Sequence, residues 1–193
     1  AELVSLYHFA KSIEILGEYL LGGKPLEPET QVKYHLEYSK DFAVKAENIS
    51  LQLLIQFFES FASKLIKNTI WYNTRGINSR ISKFNEFIAK REYHGIFELL
   101  YPQKESLSEI FNPAHSAIVV NLPTSSGKTM IAEYRLLAAL NQFAEDGGWV
   151  AYVVPTRALV NQIYNQLKKD LSPIGIQVEK VSGTLDLDGF EET

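Results

Sequence analysis

Along the first hundred residues apolar and polar positions alternate at helical spacing, with few strand signals. In "LQLLIQFFESFASKLI" the apolar residues Leu51, Leu54, Ile55, Phe58, Phe61, Ala62 and Leu65 recur every three or four positions, the stripe of a core-facing helix. A first helix is predicted over residues 2–21, ended by Gly22, Gly23 and the Pro-containing loop "GGKPLEPET". Further helices are predicted at about 31–46, 49–70, 77–91 and 92–100.

The pattern changes at "YPQKESLSEIFNPAHS", where Pro102 and the Asn112-Pro113 pair punctuate a short helix. Then come "SAIVVNL", a helix from Lys128 to about Ala144, "GGWVAYVVP", a helix from about Thr156 to Leu171, and "IQVEKVSG". Short β-branched runs alternating with helices predict a doubly wound parallel sheet covered on both faces, an α/β fold. The change of pattern places a domain boundary near residues 95–100, and neither an internal repeat nor a low-complexity segment interrupts either half.

Composition narrows the classes. With 193 residues and 46% apolar content the chain can bury a real core, so disorder is not expected. No run approaches the roughly 18 to 20 uninterrupted apolar residues of a membrane helix, so no membrane partner is expected. The N-terminal stretch is broken by His8, Lys11, Glu14 and Glu18 and reads as an amphipathic helix, not a signal peptide. The absence of cysteine removes disulfides and thiolate chemistry and suits a reducing, cytoplasmic location. His8, His35, His94 and His115 show neither HxxH nor HExxH spacing, so a zinc site is not expected.

The net charge of −4 argues against a wholly basic nucleic-acid binder, but charge is unevenly spread. Residues 64–91 hold seven basic side chains (Lys64, Lys67, Arg75, Arg80, Lys83, Lys90 and Arg91) against one acid, Glu86, with Trp71 and Tyr72 among them. Such a run suits a single-strand path. The plainer reading is a set of solvated outer faces on core helices, with Trp71 buried. Tyr34 and Tyr38, among charges of both signs, mark either a protein-partner surface or an ordinary amphipathic helix.

The sharpest chemistry lies in "NLPTSSGKT", residues 121–129, between an apolar run and a predicted helix. A triphosphate needs inward-pointing backbone N–H groups, a helix N-terminus, a cation and a hydroxyl. Ser125, Ser126 and Gly127 are small enough for the backbone to close on phosphates, Lys128 reaches the β- and γ-phosphate oxygens, and Thr129 offers its hydroxyl to Mg²⁺. Leu122 stands where the G-x-x-x-x-G-K-[ST] pattern has its first Gly, a departure that leaves these four requirements intact. ATP and Mg are the expected cofactors.

"LPTSSGKT" followed by "VPTRALVNQ" resembles motifs I and Ia of superfamily 2 helicases, and "LLYPQKESL" resembles the Q-motif region, especially its Ski2-like form. The resemblance covers about residues 97–184. It implies a helical accessory domain over residues 1–96 and, over 97–193, an incomplete first RecA-like ATP-binding domain. It further implies that Gln103 bonds the adenine edge while Tyr101 or Phe97 packs against the base. Thr124, Ser125, Ser126, Gly127, Lys128 and Thr129 would hold the phosphates and the metal, Lys128 and Thr129 serving the chemistry. Pro155, Thr156 and Arg157 would touch a single strand of DNA or RNA, and Gln162 lies one turn beyond.

The family's motif II carboxylates do not occur in these 193 residues; "TLDLDGFEET" has Asp186, Asp188, Glu191 and Glu192 but no preceding apolar strand. Nor is there a second RecA-like domain with its arginine finger. Loss of a finger costs on the order of 10³ to 10⁵ in rate, so this segment alone is expected to bind nucleotide weakly and to hydrolyse almost none. The expectation is the N-terminal part of an ATP-dependent helicase or translocase. Alternatives are a duplex-DNA translocase of a restriction or anti-phage defence complex and a non-catalytic nucleotide-binding scaffold.

Overall fold

The first helix, α1 (Glu2–Gly22), ends where the sequence predicts: Gly23 adopts a left-handed φ of 68° and its N–H bonds the Tyr19 carbonyl at 2.8 Å. It packs against α2 (Pro28–Lys45) through two serines that let the backbones approach. Ser5 Oγ donates to the Ser39 carbonyl at 2.7 Å and Ser39 Oγ to the Ser5 carbonyl at 2.8 Å. Beside them His8 Nδ1 lies 2.9 Å from His35 Nδ1, and burial together with the His8 and Lys11 charges holds His35 below the usual imidazole range. The computed structural model describes residues 1–115, 117–123, 126–143 and 147–181.

Side-chain caps fix the starts of the next helices. Asn48 Oδ1 accepts from the Leu51 N–H to open α3 (Ile49–Asn68), and Thr69 Oγ1 accepts from the Tyr72 N–H to open the short α4 (Ile70–Asn73). Asn78 Oδ1 does the same for Ile81 at the start of α5 (Ser79–Ala89). One face of α3 enters the core through Leu51, Ile55, Ala62 and Ile66, while Ile49, Leu53 and Phe57 remain exposed. Among the described residues α3 is the helix long and apolar enough to cross a membrane by length and composition. It carries Glu59, Lys64 and Lys67 and lies against α2.

The expected helix over 92–100 is not formed. His94 takes a positive φ of 62°, and the chain then runs back along the α3–α4 junction. Ile70 N–H bonds the Phe97 carbonyl at 3.0 Å and Leu99 N–H the Asn68 carbonyl at 2.9 Å, giving an antiparallel bridge between Thr69 and Glu98. These tertiary bonds override the local periodicity.

Three helices follow: α6 (Tyr101–Ile110), α7 (Lys128–Gln142) and α8 (Arg157–Leu171), the last running into a 3₁₀ turn over Ser172–Ile174. Two cores result. One gathers Leu16, Tyr19, Leu36, Ile55 and Ile66 from α1 to α3. The other joins Phe84 and Ile88 of α5 to Leu107 of α6, Tyr134 and Leu137 of α7 and Leu171 of α8. Trp71, half-buried, touches both and donates its indole N–H to the Leu20 carbonyl at 3.1 Å.

The described residues of the three expected strands, within 117–122, 149–154 and 176–181, carry neither helix nor β-ladder. Among the described residues the sole β-pairing is the Thr69–Glu98 bridge. A parallel sheet is stable when helices cover both faces. Here α7 and α8 turn their apolar faces to α5 and α6 instead, with Tyr134 edge-on to Phe84 at 5.8 Å between centroids and bonding Asn85 Oδ1 at 2.8 Å. Val119, Trp149 and Val153, expected in strands, are left 96%, 79% and 87% exposed.

Candidate functional site

The candidate phosphate loop carries a left-handed glycine. Gly127, at φ 72° and ψ 38°, is the residue before α7, and its carbonyl accepts the Met130 N–H at 3.1 Å. Ser126, buried, donates its hydroxyl to the Pro123 carbonyl at 2.6 Å, which tightens the bend from inside. Lys128 is exposed at the first position of the helix and Thr129 half-buried at the second. Backbone N–H groups at a helix N-terminus, with a lysine beside them, are an anion cradle by geometry and dipole. Thr124 and Ser125 lie outside the described residues, as do Asp186, Asp188, Glu191 and Glu192.

Gln103 ties this loop to the preceding segment. It is 3% exposed; its Oε1 accepts the Leu100 N–H at 2.8 Å, closing the start of α6, and its Nε2 donates to the Gly127 carbonyl at 3.2 Å. Nε2 also donates to Met130 Sδ at 3.7 Å, so both of its N–H groups are engaged and the amide keeps one unused position, the second lone pair of Oε1. A Cβ on Gly127 would fall 2.2 Å from Gln103 Nε2, so glycine is required there both by φ and by the neighbour.

A cavity of about 500 Å³ opens beside the loop, and Phe97, Leu100, Gln103, Gly127 and Thr129 are among its lining residues. Tyr101, at the first turn of α6, is 74% exposed and outside that lining. The structure thus brings Gln103, Phe97, Gly127 and Thr129 together and leaves Tyr101 at the surface. Pro155, Thr156, Arg157 and Gln162 are all exposed. Thr156 caps α8, its Oγ1 accepting the Leu159 N–H at 3.3 Å, which sets Arg157 at the positive end of that helix.

The far wall of the cavity holds charges that the sequence reading passed over. Arg91 Nη2 donates to Asp170 Oδ1 at 2.7 Å, joining the end of the α5 segment to α8, with Asp170 4% exposed. Glu133 of α7, 3% exposed, lies against them. Arg91 Nε and Glu133 Oε1 are buried without a hydrogen-bond partner among the described residues. Burial, with the Asp170 carboxyl beside it, pushes Glu133 up to about 8, although Arg91 acts in the opposite sense. Burial and the neighbouring carboxylate both disfavour a second negative charge here, which favours the protonated form of Glu133. The signal was available: Glu133 sits on the face defined by Met130, Ile131, Tyr134 and Leu137, where a charge is out of place.

Residues 101–190 match the family model described as DEAD/DEAH box helicase. Over 104 residues the chain is 35% identical to the ATP-dependent DNA helicase Hel308 of Pyrococcus horikoshii and 36% identical to that of Pyrococcus abyssi. Each alignment covers 54% of this chain, and the chain spans 13% of either relative's length. The activating signal cointegrator 1 complex subunit 3 of Danio rerio is 30% identical over 99 residues, 48% of this chain and 6% of that protein. No solved structure matches. The family match and these relatives agree: over residues 101–190, just under half of the chain, this protein is similar to the DEAD/DEAH box helicases and to Hel308 among them.

Proposed function

We propose that this chain supplies the ATP-binding half-site of an ATP-dependent nucleic-acid helicase or translocase. The observation that carries the reading is the left-handed Gly127 at the N-terminus of α7, locked to Gln103, with Lys128 and Thr129 next in line. Thr124 to Gly127 would wrap the phosphates, Lys128 neutralise the β- and γ-oxygens and Thr129 hold Mg²⁺, which when bound offsets the charge on the transferring phosphoryl group. The base would enter the cavity lined by Phe97 and Gln103, meeting the free lone pair of Gln103 Oε1 and the Nε2 hydrogen that now rests on the weak acceptor Met130 Sδ, with Tyr101 covering it from the surface.

Arg157, presented with Thr156 at the N-terminus of α8, would hold the phosphate backbone of a single strand of DNA or RNA, with Pro155 beside it. Residues 97–193 are proposed to form part of a RecA-like domain whose parallel sheet takes in the exposed runs around Val119, Trp149 and Val153. Residues 1–96 are proposed as an accessory helical domain, all of it N-terminal to the matched family segment. Without motif II carboxylates or an arginine finger, the 193 residues alone would bind nucleotide and turn over almost none.

The test is ATPase activity of the longest natural chain containing this sequence, with single-stranded DNA, duplex DNA and RNA in turn, beside Lys128→Ala. The expected result is stimulation by a single strand and a loss of at least a hundredfold in the variant. Stimulation by duplex alone, without strand displacement, would make the protein a duplex translocase. No activity under any condition would leave a scaffold.

A further inference from the structure

The basic run of residues 64–91 does not stay together in the fold. Lys67 pairs with Glu29 at 3.6 Å, far in sequence from the rest, while Lys83, Lys90 and Arg91 converge on a separate open groove of about 780 Å³. One wall is a single face of α5 and the residue that caps it, with Lys83, Glu86, Phe87 and Lys90 at spacings of three and four. The other wall is the end of α8, where Lys169 is followed by Pro173 and Ile174. Tyr93, 77% exposed, stands at the rim.

Acids are present and set the strength of the site. Glu86 pairs with Lys90 at 2.6 Å, Arg91 is committed to Asp170, and Glu92 also lines the groove. Lys83 and Lys169 make no ion pair among the described residues and face each other's walls. The Lys90–Glu86 pair is exposed on both sides, and such pairs contribute little, so Lys90 can exchange Glu86 for a phosphate at small cost. Cations on two walls, the apolar side chains of Phe87 and Ile174 among them, and one exposed ring match a backbone passing through with an unpaired base stacked at the edge.

We infer that this groove is a second contact for single-stranded nucleic acid, the phosphodiester backbone lying between Lys83, Lys90 and Lys169 and a base stacking on Tyr93. The inference rests on the nucleic-acid reading above but concerns a different surface. Arg157 and Lys169 lie at opposite ends of α8, about 18 Å apart along its axis at 1.5 Å per residue, so one phosphate cannot serve both.

The experiment is oligothymidylate binding by the 193-residue chain across a salt series, with Lys83→Gln/Lys169→Gln, Tyr93→Ala and Arg157→Ala. Circular dichroism checks that each variant is folded. The double variant is expected to lose about tenfold in affinity at low salt and about 1.4 from the log–log salt slope, at roughly 0.7 per phosphate contact on a single strand. Tyr93→Ala is expected to lose about fivefold or more with the slope unchanged, as base stacking predicts. Wild-type affinity and slope in the double variant, with loss in Arg157→Ala, would overturn the groove and leave the motif Ia contact standing. Displacement of the oligonucleotide by inorganic tripolyphosphate at matched ionic strength, with Tyr93→Ala silent, would reduce the groove to a simple anion site. Preference for duplex would overturn the single-strand assignment, and no binding by the wild type at any salt would remove the nucleic-acid reading itself.

Discussion

Gly127→Ala is expected to abolish triphosphate binding and to lower the melting temperature by roughly 5 to 15 °C. Two costs combine at this position. A left-handed φ of 72° costs an L-residue about 1–2 kcal/mol, and the new methyl carbon would sit 2.2 Å from Gln103 Nε2. That nitrogen is the tip of a flexible side chain, but the side chain is buried and bonded at both ends, to Leu100 and to Gly127. Moving it leaves buried polar groups unsatisfied, a further penalty of about 1–3 kcal/mol. A double-mutant cycle with Gln103→Ala separates the two costs. Removing Gln103 first relieves the clash and leaves the backbone strain, so the double variant should be more stable than the two single losses predict. Strict additivity would show that Gln103 and Gly127 do not touch.

Glu133→Gln is expected to stabilise the chain in a pH-dependent way. With its folded value raised from 4.5 to about 8, native Glu133 keeps a proton that the unfolded chain has released between those limits. Folding then takes up a proton, and stability falls as pH rises through that window by up to about 1.4 kcal/mol per pH unit, levelling once Glu133 ionises in the native state as well. Glutamine carries no such cost. Melting temperatures of wild type and variant should nearly coincide below pH 4.5 and diverge by several degrees per pH unit up to about pH 8, at roughly 2–4 °C per kcal/mol. Taking the difference cancels contributions from groups common to both proteins. Parallel curves from pH 4.5 to 8 would mean that Glu133 is solvated and not joined to Asp170. This buried group sets α7, whose first residue is Lys128, against Arg91, just beyond α5, and Asp170 of α8.

What could be read from the sequence was local. Gly23 ends α1, Lys128 opens α7 and Thr156 caps α8, since each depends on backbone geometry within a few residues. The left-handed turn at Gly127 that precedes α7 was legible for the same reason. Gln103 was singled out, although its bonds to Leu100 and Gly127 give it a structural task that spacing alone does not reveal. Residues 92–100 looked helical because their periodicity is local, whereas their partners, Asn68 and Ile70, are not. The β-branched runs around Val119 and Val153 have strand composition, but a strand forms only when another pairs with it, and pairing is not written in the run itself. The Arg91–Asp170–Glu133 cluster escaped because its members lie up to 79 residues apart; only the misplaced charge on the core face of α7 hinted at it.

The most direct test of the account is a calorimetric titration of this chain with Mg-ATP and with Mg-AMP, in wild type and Lys128→Ala. If residues 121–129 hold a triphosphate, ATP binds the wild type more tightly than AMP, and the variant loses that difference while its AMP affinity is unchanged. Equal affinity for ATP and AMP, or an ATP affinity that Lys128→Ala leaves untouched, would contradict it.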